Sequence, residues 1–137
     1  MWASVGTSAK LRYPWACPWA NASYMTTLSV ERALARSGAA PTAPGYVADR
    51  ARRSRDLIER RLSEVPFFGG RNLSTADIMM MFCLTTMRGF TGGTLDGMPA
   101  TQDYVRRIAE RPAYRRAMDK AEGVRDPARS SLDDNAR

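Results

Sequence analysis

The chain contains no histidine. That removes the side chain most often used as a general base near neutral pH. Cys17 and Cys83 are its only cysteines. A zinc site would have almost no ligands to draw on, so we expect no metal. The two cysteines stand far apart in dissimilar contexts, which implies no disulfide framework. A reducing, cytoplasmic setting is the expectation that follows. No apolar run approaches about 18 residues, so no membrane-spanning helix is expected. Pro14 and Pro18 interrupt the only apolar patch near the start, which argues against a secretory signal. Residues 1–30 also lack acids, a composition faintly like a transit peptide, but Lys10 and Arg12 are too few basic residues for one. There is no internal repeat and no alternating apolar pattern. Strands therefore have no signal, and an all-α bundle of about five helices is the expected fold class.

Lysine is scarce too. Lys10 and Lys120 stand against 19 arginines, and the net charge is +7. Such a balance invites a nucleic-acid reading. The densest cluster is Arg50, Arg52, Arg53, Arg55, Arg60 and Arg61. Acids interleave with it, making Asp49–Arg53, Arg52–Asp56, Arg55–Glu59, Asp56–Arg60 and Arg60–Glu64 neighbours one helical turn apart. No aromatic is interleaved for base stacking, and no nucleic-acid motif is present. A solvated helix face accounts for the cluster better than a nucleic-acid surface does.

At 137 residues the chain is one domain's worth. Residues 1–20 read as irregular, because Tyr13-Pro14-Trp15-Ala16-Cys17-Pro18-Trp19 packs two prolines and three bulky rings into one aperiodic stretch. A first helix is expected from Asn21 to Arg36, with Tyr24 and Leu28 on one face. Gly38 to Gly45 reads as a loop. The longest helix should run from Tyr46 to Val65, with Val47, Ala51, Ser54, Ile58, Leu62 and Val65 as its inner stripe. Pro66 ends it. Phe67-Phe68-Gly69-Gly70 makes the turn, and a helix from Ser74 to about Arg88 follows. Gly89 to Ala100 reads as a loop. Two short helices then cover Thr101–Glu110 and Pro112 to about Ala121. Residues 123–137 have little apolar content and read as a disordered tail.

The helix starting at Ser74 is the most informative. Ser74 and Asp77 have the Ser-x-x-acid spacing of a capping box, with Leu73 and Ile78 placed to staple it. Met79-Met80-Met81-Phe82-Cys83-Leu84 then reads as apolar on every side, which implies a buried central helix. Its starting donors need internal partners, so Ser74 and Asp77 are assigned as the structural N-cap rather than to catalysis. Cys83 among apolar residues is core and inert. Cys17 has no basic neighbour to activate it. The methionine run with Met87 fills the core in preference to lining a pocket. No residue is assigned a catalytic role.

Phe67-Phe68-Gly69-Gly70, then Leu73-Ser74-Thr75-Ala76-Asp77, then Arg111-Pro112-Ala113-Tyr114-Arg115-Arg116-Ala117 resembles the C-terminal helical domain of the cytosolic glutathione transferases. The resemblance runs from about Val47 to Glu122 and suggests a helical domain over residues 21–122. It implies thiol conjugation to electrophiles, with glutathione as co-substrate. In that family a thioredoxin-like domain holds glutathione and activates its thiol, and nothing here resembles it. The expectation is a transferase-like chain reduced to its helical domain and inactive alone. The resemblance also implies that the first helix and the start of the central one lend apolar walls to the electrophile pocket. That assigns Tyr24, Met25, Leu28 and Met80 to substrate binding. A homodimer is a further implied partner. The alternative is a non-catalytic helical interaction module with an acidic or RNA partner.

Overall fold

A computed structural model describes residues 16–37, 44–91 and 93–122. Five helices make up the described chain. Helix α1 spans residues 16–37, helical in Ala16–Pro18, π-helical over Trp19–Met25, and α-helical again over Thr26–Ser37. Helix α2 is Pro44–Glu64. Helix α3 covers residues 75–91, as Thr75–Phe82, a π-helical stretch Cys83–Met87, and Arg88–Thr91. Helices α4 and α5 are Pro99–Ala109 and Pro112–Glu122. Among the described residues there is no strand, only an isolated bridge between Phe67 and Gly70. The tail, the loop around Pro41 and residues before Ala16 lie outside the described residues.

The start of α1 corrects our reading of residues 1–20 as irregular. Residues 16–20 are helical, and Ala16 and Ala20 are fully buried. Ala16, Ala20, Tyr24 and Leu28 form its inner stripe at a constant spacing of four. That spacing drifts around a straight α-helix, but a wider π-helical stretch brings it back to one side. Trp19 is no stray ring. It stacks on Tyr24 at 5.7 Å with planes 5° apart, and meets Phe68 at 5.7 Å. Both distances suit aromatic pairing.

Helix α2 presents the stripe its spacing predicts. Ala51, Ser54, Ile58 and Leu62 are buried, with Val47, Leu57 and Val65 half-buried beside them. It packs against α1 on one side and α4 on the other, while α3 packs against α1. The core is built where they meet, around Ile58, Phe68, Met80, Leu84, Tyr104 and Val105.

Two expectations for the arginine cluster and the central helix need correction. Arg61 is not on a solvated face. It is buried, and its Nε donates to the Phe68 carbonyl at 3.2 Å. Its long apolar stem fits the core edge while the head finds a carbonyl. Arg50, Arg52, Arg53 and Arg60 are exposed and Arg55 is half-buried: Asp49 pairs with Arg52 and Arg53, Arg52 with Asp56, and Arg55 with Glu31 of α1 at 3.6 Å. Helix α3, for its part, is not covered on all sides. Ile78 is 65% exposed and Phe82 43%. Leu73, the other half of the expected staple, is 40% exposed and faces the same groove as Ile78.

Candidate functional site

The most organised polar site is the elbow between α2 and α3. Pro66 ends α2, and Gly70 turns the chain at φ 133°, a conformation side chains resist. Phe67 and Gly70 exchange backbone hydrogen bonds of 3.1 and 2.8 Å across the turn. Gly69 is required for a different reason. A Cβ there would fall 2.1 Å from Ser74 Oγ. Only a bare α-carbon lets the elbow press against the start of α3.

Ser74 is the N-cap, in extended conformation (φ −138°, ψ 175°), and its hydroxyl and N–H both donate to the Asp77 carboxylate. The bonds converge on the carboxylate. Asp77 Oδ2 accepts from the Ser74 N–H at 2.8 Å and from the Ser74 hydroxyl at 2.8 Å. Oδ1 accepts from the Phe68 N–H at 2.6 Å and from the Tyr104 hydroxyl at 3.0 Å. Asp77 is fully buried, so these donors stand where bulk water would otherwise be. One side chain thus ties the elbow, the start of α3 and the middle of α4 together. Further clamps hold the same elbow: Arg61 on the Phe68 carbonyl and Arg107 of α4 on the Pro66 carbonyl.

The sequence showed the Ser74–Asp77 pair but not Tyr104 and Arg61, which hold the same elbow, nor Glu59, which caps α4. Nothing in the sequence around Tyr104 pointed to Asp77, 27 positions away. Arg61 was hidden among look-alike arginines. Glu59 was read as a partner of Arg55. Instead its carboxylate accepts from the N–H groups of Ala100 and Thr101 at 2.7 and 3.0 Å, and from the Thr101 hydroxyl at 2.7 Å. Met98 opens α4 without a side-chain cap of its own, and Glu59 supplies the cap from α2.

The acid–base groups of the interior are poorly suited to activating a thiol at neutral pH. Burial pushes the Tyr24 phenol up to about 12 and the Cys83 thiol up to about 11. Burial, then the neighbouring Asp77, raises Tyr104 well above its ordinary value. Cys83 Sγ lies 3.7 Å from the Ala20 carbonyl, a weak donor contact that holds the thiol form. All three groups therefore hold their protons at neutral pH. The same shifts set a stability limit. A folded-state value above the unfolded one leaves stability untouched below the unfolded value and removes it as pH rises toward the folded value. For Tyr24 that window runs from 10 to about 12, worth about 3 kcal/mol at its end. Circular dichroism against pH should show the domain unfolding above about pH 10, and Tyr24→Phe should move the midpoint upward.

Of the four residues implied for substrate binding, Tyr24, Leu28 and Met80 are buried in the core, and Met25 is half-buried against it. They sit close together in the fold, along the α1–α3 packing. They do not line either of two clefts on the surface. The first cleft, about 360 Å³, lies between α1 and α2 and includes Trp19, Tyr46, Arg50 and Arg53. Its cations are already engaged, Arg53 with Asp49 and Arg50 Nε with the Thr27 hydroxyl at 3.0 Å. The second, about 430 Å³, lies between α3 and α5 and is mostly apolar. Among the described residues no group of three or more acids and cysteines stands together to hold a metal ion. Nor is any described helix long and apolar enough to cross a membrane.

An all-helical domain organised about a central helix with a Ser-x-x-Asp start is the class this geometry defines. Residues 39–112 match the family model of the glutathione S-transferase C-terminal domain, more than half of the chain. The protein belongs to that family. The match takes in α2, α3 and α4, and leaves α1 and nearly all of α5 outside. A search of curated proteins finds no match.

Proposed function

We propose that this chain serves as the helical, electrophile-side half of a glutathione transferase, and that alone it does not conjugate. Membership of the family supports the first part, with glutathione as the co-substrate of the completed enzyme. The observation that carries the second part is the state of the interior acids and bases. There is no histidine, and the buried phenols and thiol keep their protons near neutrality. Conjugation needs a group that lowers the thiol's pKa or takes its proton, and no buried residue here is tuned for either. Met25 keeps exposed surface for an apolar substrate, and Tyr24, Leu28 and Met80 would back it. Unpaired cysteines suit a cytoplasmic setting. The test is conjugation of glutathione to a generic aromatic halide. The chain alone should run at background. Turnover that survives repurification to constant specific activity would defeat the proposal.

A second reading is favoured by a specific observation. The groove between α3 and α5 leaves large apolar side chains open to water, as a non-catalytic protein-interaction module would.

A further inference from the structure

Leu73, Ile78 and Phe82 are three of the large apolar side chains that the described residues leave exposed, and all three line one groove. Ile78, Phe82, Thr85 and Thr86 recur at helical spacing, so the strip runs along α3 for about 12 Å. The facing wall comes from α5, where Ala113 and Ala117 are small enough to leave room beside Tyr114 and Met118. Two helices with an apolar trough between them are the shape that receives a third.

Charge narrows the occupant. Arg111 lines the groove itself. Arg115 and Arg116 follow on α5, exposed beside the lining residues Tyr114 and Ala117, with Glu110 before them and Asp119 after, while on α4 Arg106 is already paired with Asp103 and Arg107 with the Pro66 carbonyl. Asp77 is the only acid of α3, and its carboxylate is buried beneath four donors. The α5 rim, at Arg111, Arg115 and Arg116, is therefore cationic over an apolar floor. A second copy would bring the same cationic rim against itself in a chain of net charge +7. A nucleic acid would match the rim but leave the aliphatic floor unfilled.

We propose that this groove docks a short amphipathic helix of a partner protein, apolar at positions i, i+4 and i+7 and flanked by Asp or Glu. The inference rests on the interaction-module reading and names its partner. The probe is a fluorescein-labelled synthetic peptide helix with leucines at those positions and glutamates on its flanks, compared with the same peptide carrying lysines. The full chain should bind the glutamate peptide, with affinity falling as salt rises, and bind the lysine peptide roughly tenfold or more weakly. Ile78→Glu and Phe82→Glu should abolish binding. Both side chains are exposed, so an unchanged melting curve checks that the fold is kept. Arg111→Glu should reverse the preference between the two peptides.

Equal binding of both peptides overturns the proposal. So does a peptide of residues 123–137 that displaces the probe more strongly than unlabelled glutamate peptide, since it would give the groove to this chain. Concentration-dependent dimerisation lost in Ile78→Glu gives it to a second copy, and displacement by single-stranded RNA gives it to nucleic acid. If Ile78→Glu still binds the glutamate peptide in a salt-sensitive way, the groove is wrong while the interaction module stands elsewhere on the chain.

Discussion

Asp77→Ala should lower the unfolding free energy by about 3–5 kcal/mol, read from urea denaturation at constant slope. The substitution removes the acceptor for the Phe68 N–H, the Ser74 N–H, the Ser74 hydroxyl and the Tyr104 hydroxyl. Each buried donor left without a partner costs about 1–3 kcal/mol. Adding the four would rival the whole stability of a small domain, about 5–15 kcal/mol, so the sum cannot hold. The two Ser74 donors lie at the half-buried edge and recover water. Phe68 and Tyr104 are fully buried and do not. Two full penalties and two partial ones give the stated range. Asp77→Asn keeps one acceptor oxygen but turns an NH₂ toward the other donors, so it should fall between Asp77→Ala and wild type. Ser74→Ala should cost only about 1 kcal/mol, the ordinary loss of a cap. An Asp77→Ala midpoint within error of Ser74→Ala would show that the elbow and α4 do not depend on the carboxylate.

That ordering shows what local spacing can and cannot disclose. The pair Ser74 and Asp77 is three residues apart, and a three-residue spacing has few meanings before an apolar helix. The elbow was legible for the same reason. Pro66 must end a helix, and Gly69-Gly70 after two phenylalanines must turn. Helix number and the inner stripe of α2 followed from period alone. Tyr104, Arg61 and Glu59 carry no such signature. Each acts at its site across 7 to 42 positions of chain, and from sequence each resembled any other inward tyrosine or solvated charge. The first helix was legible from Asn21 to Arg36, but its start at residues 16–20 was missed for a different reason. Its spacing of four mimics no regular helix until a π-helical stretch is allowed for, and Trp19 stacks on Tyr24 within that stretch. The exposed face of α3 could not be read either. An unbroken apolar run says that burial is favourable, not which partner provides it.

Glu59→Ala should cost about 2–3 kcal/mol, a large effect for a half-buried residue on a helix face read as solvated. An N-terminus buried against another helix cannot leave its first donors dry. The usual remedy is a Ser, Thr, Asp or Asn at the cap, and Met98 is none of these. Pro99 removes one donor by lacking an N–H. The next two, on Ala100 and Thr101, go to Glu59, whose negative charge also faces the positive end of the α4 dipole. The cap thereby becomes a tertiary contact: α4 is secured only if α2 lies beside it. Loss of Glu59 should therefore speed hydrogen exchange at Ala100 and Thr101 together, while amides at Tyr104 and Val105, one turn further in, stay protected. Glu59→Gln preserves shape and one acceptor but loses the charge, so it should retain about half of that contribution. If Glu59→Ala left both amides as slow as in wild type, the start of α4 would have to be held by its own sequence, and nothing in Met98-Pro99-Ala100 offers the means.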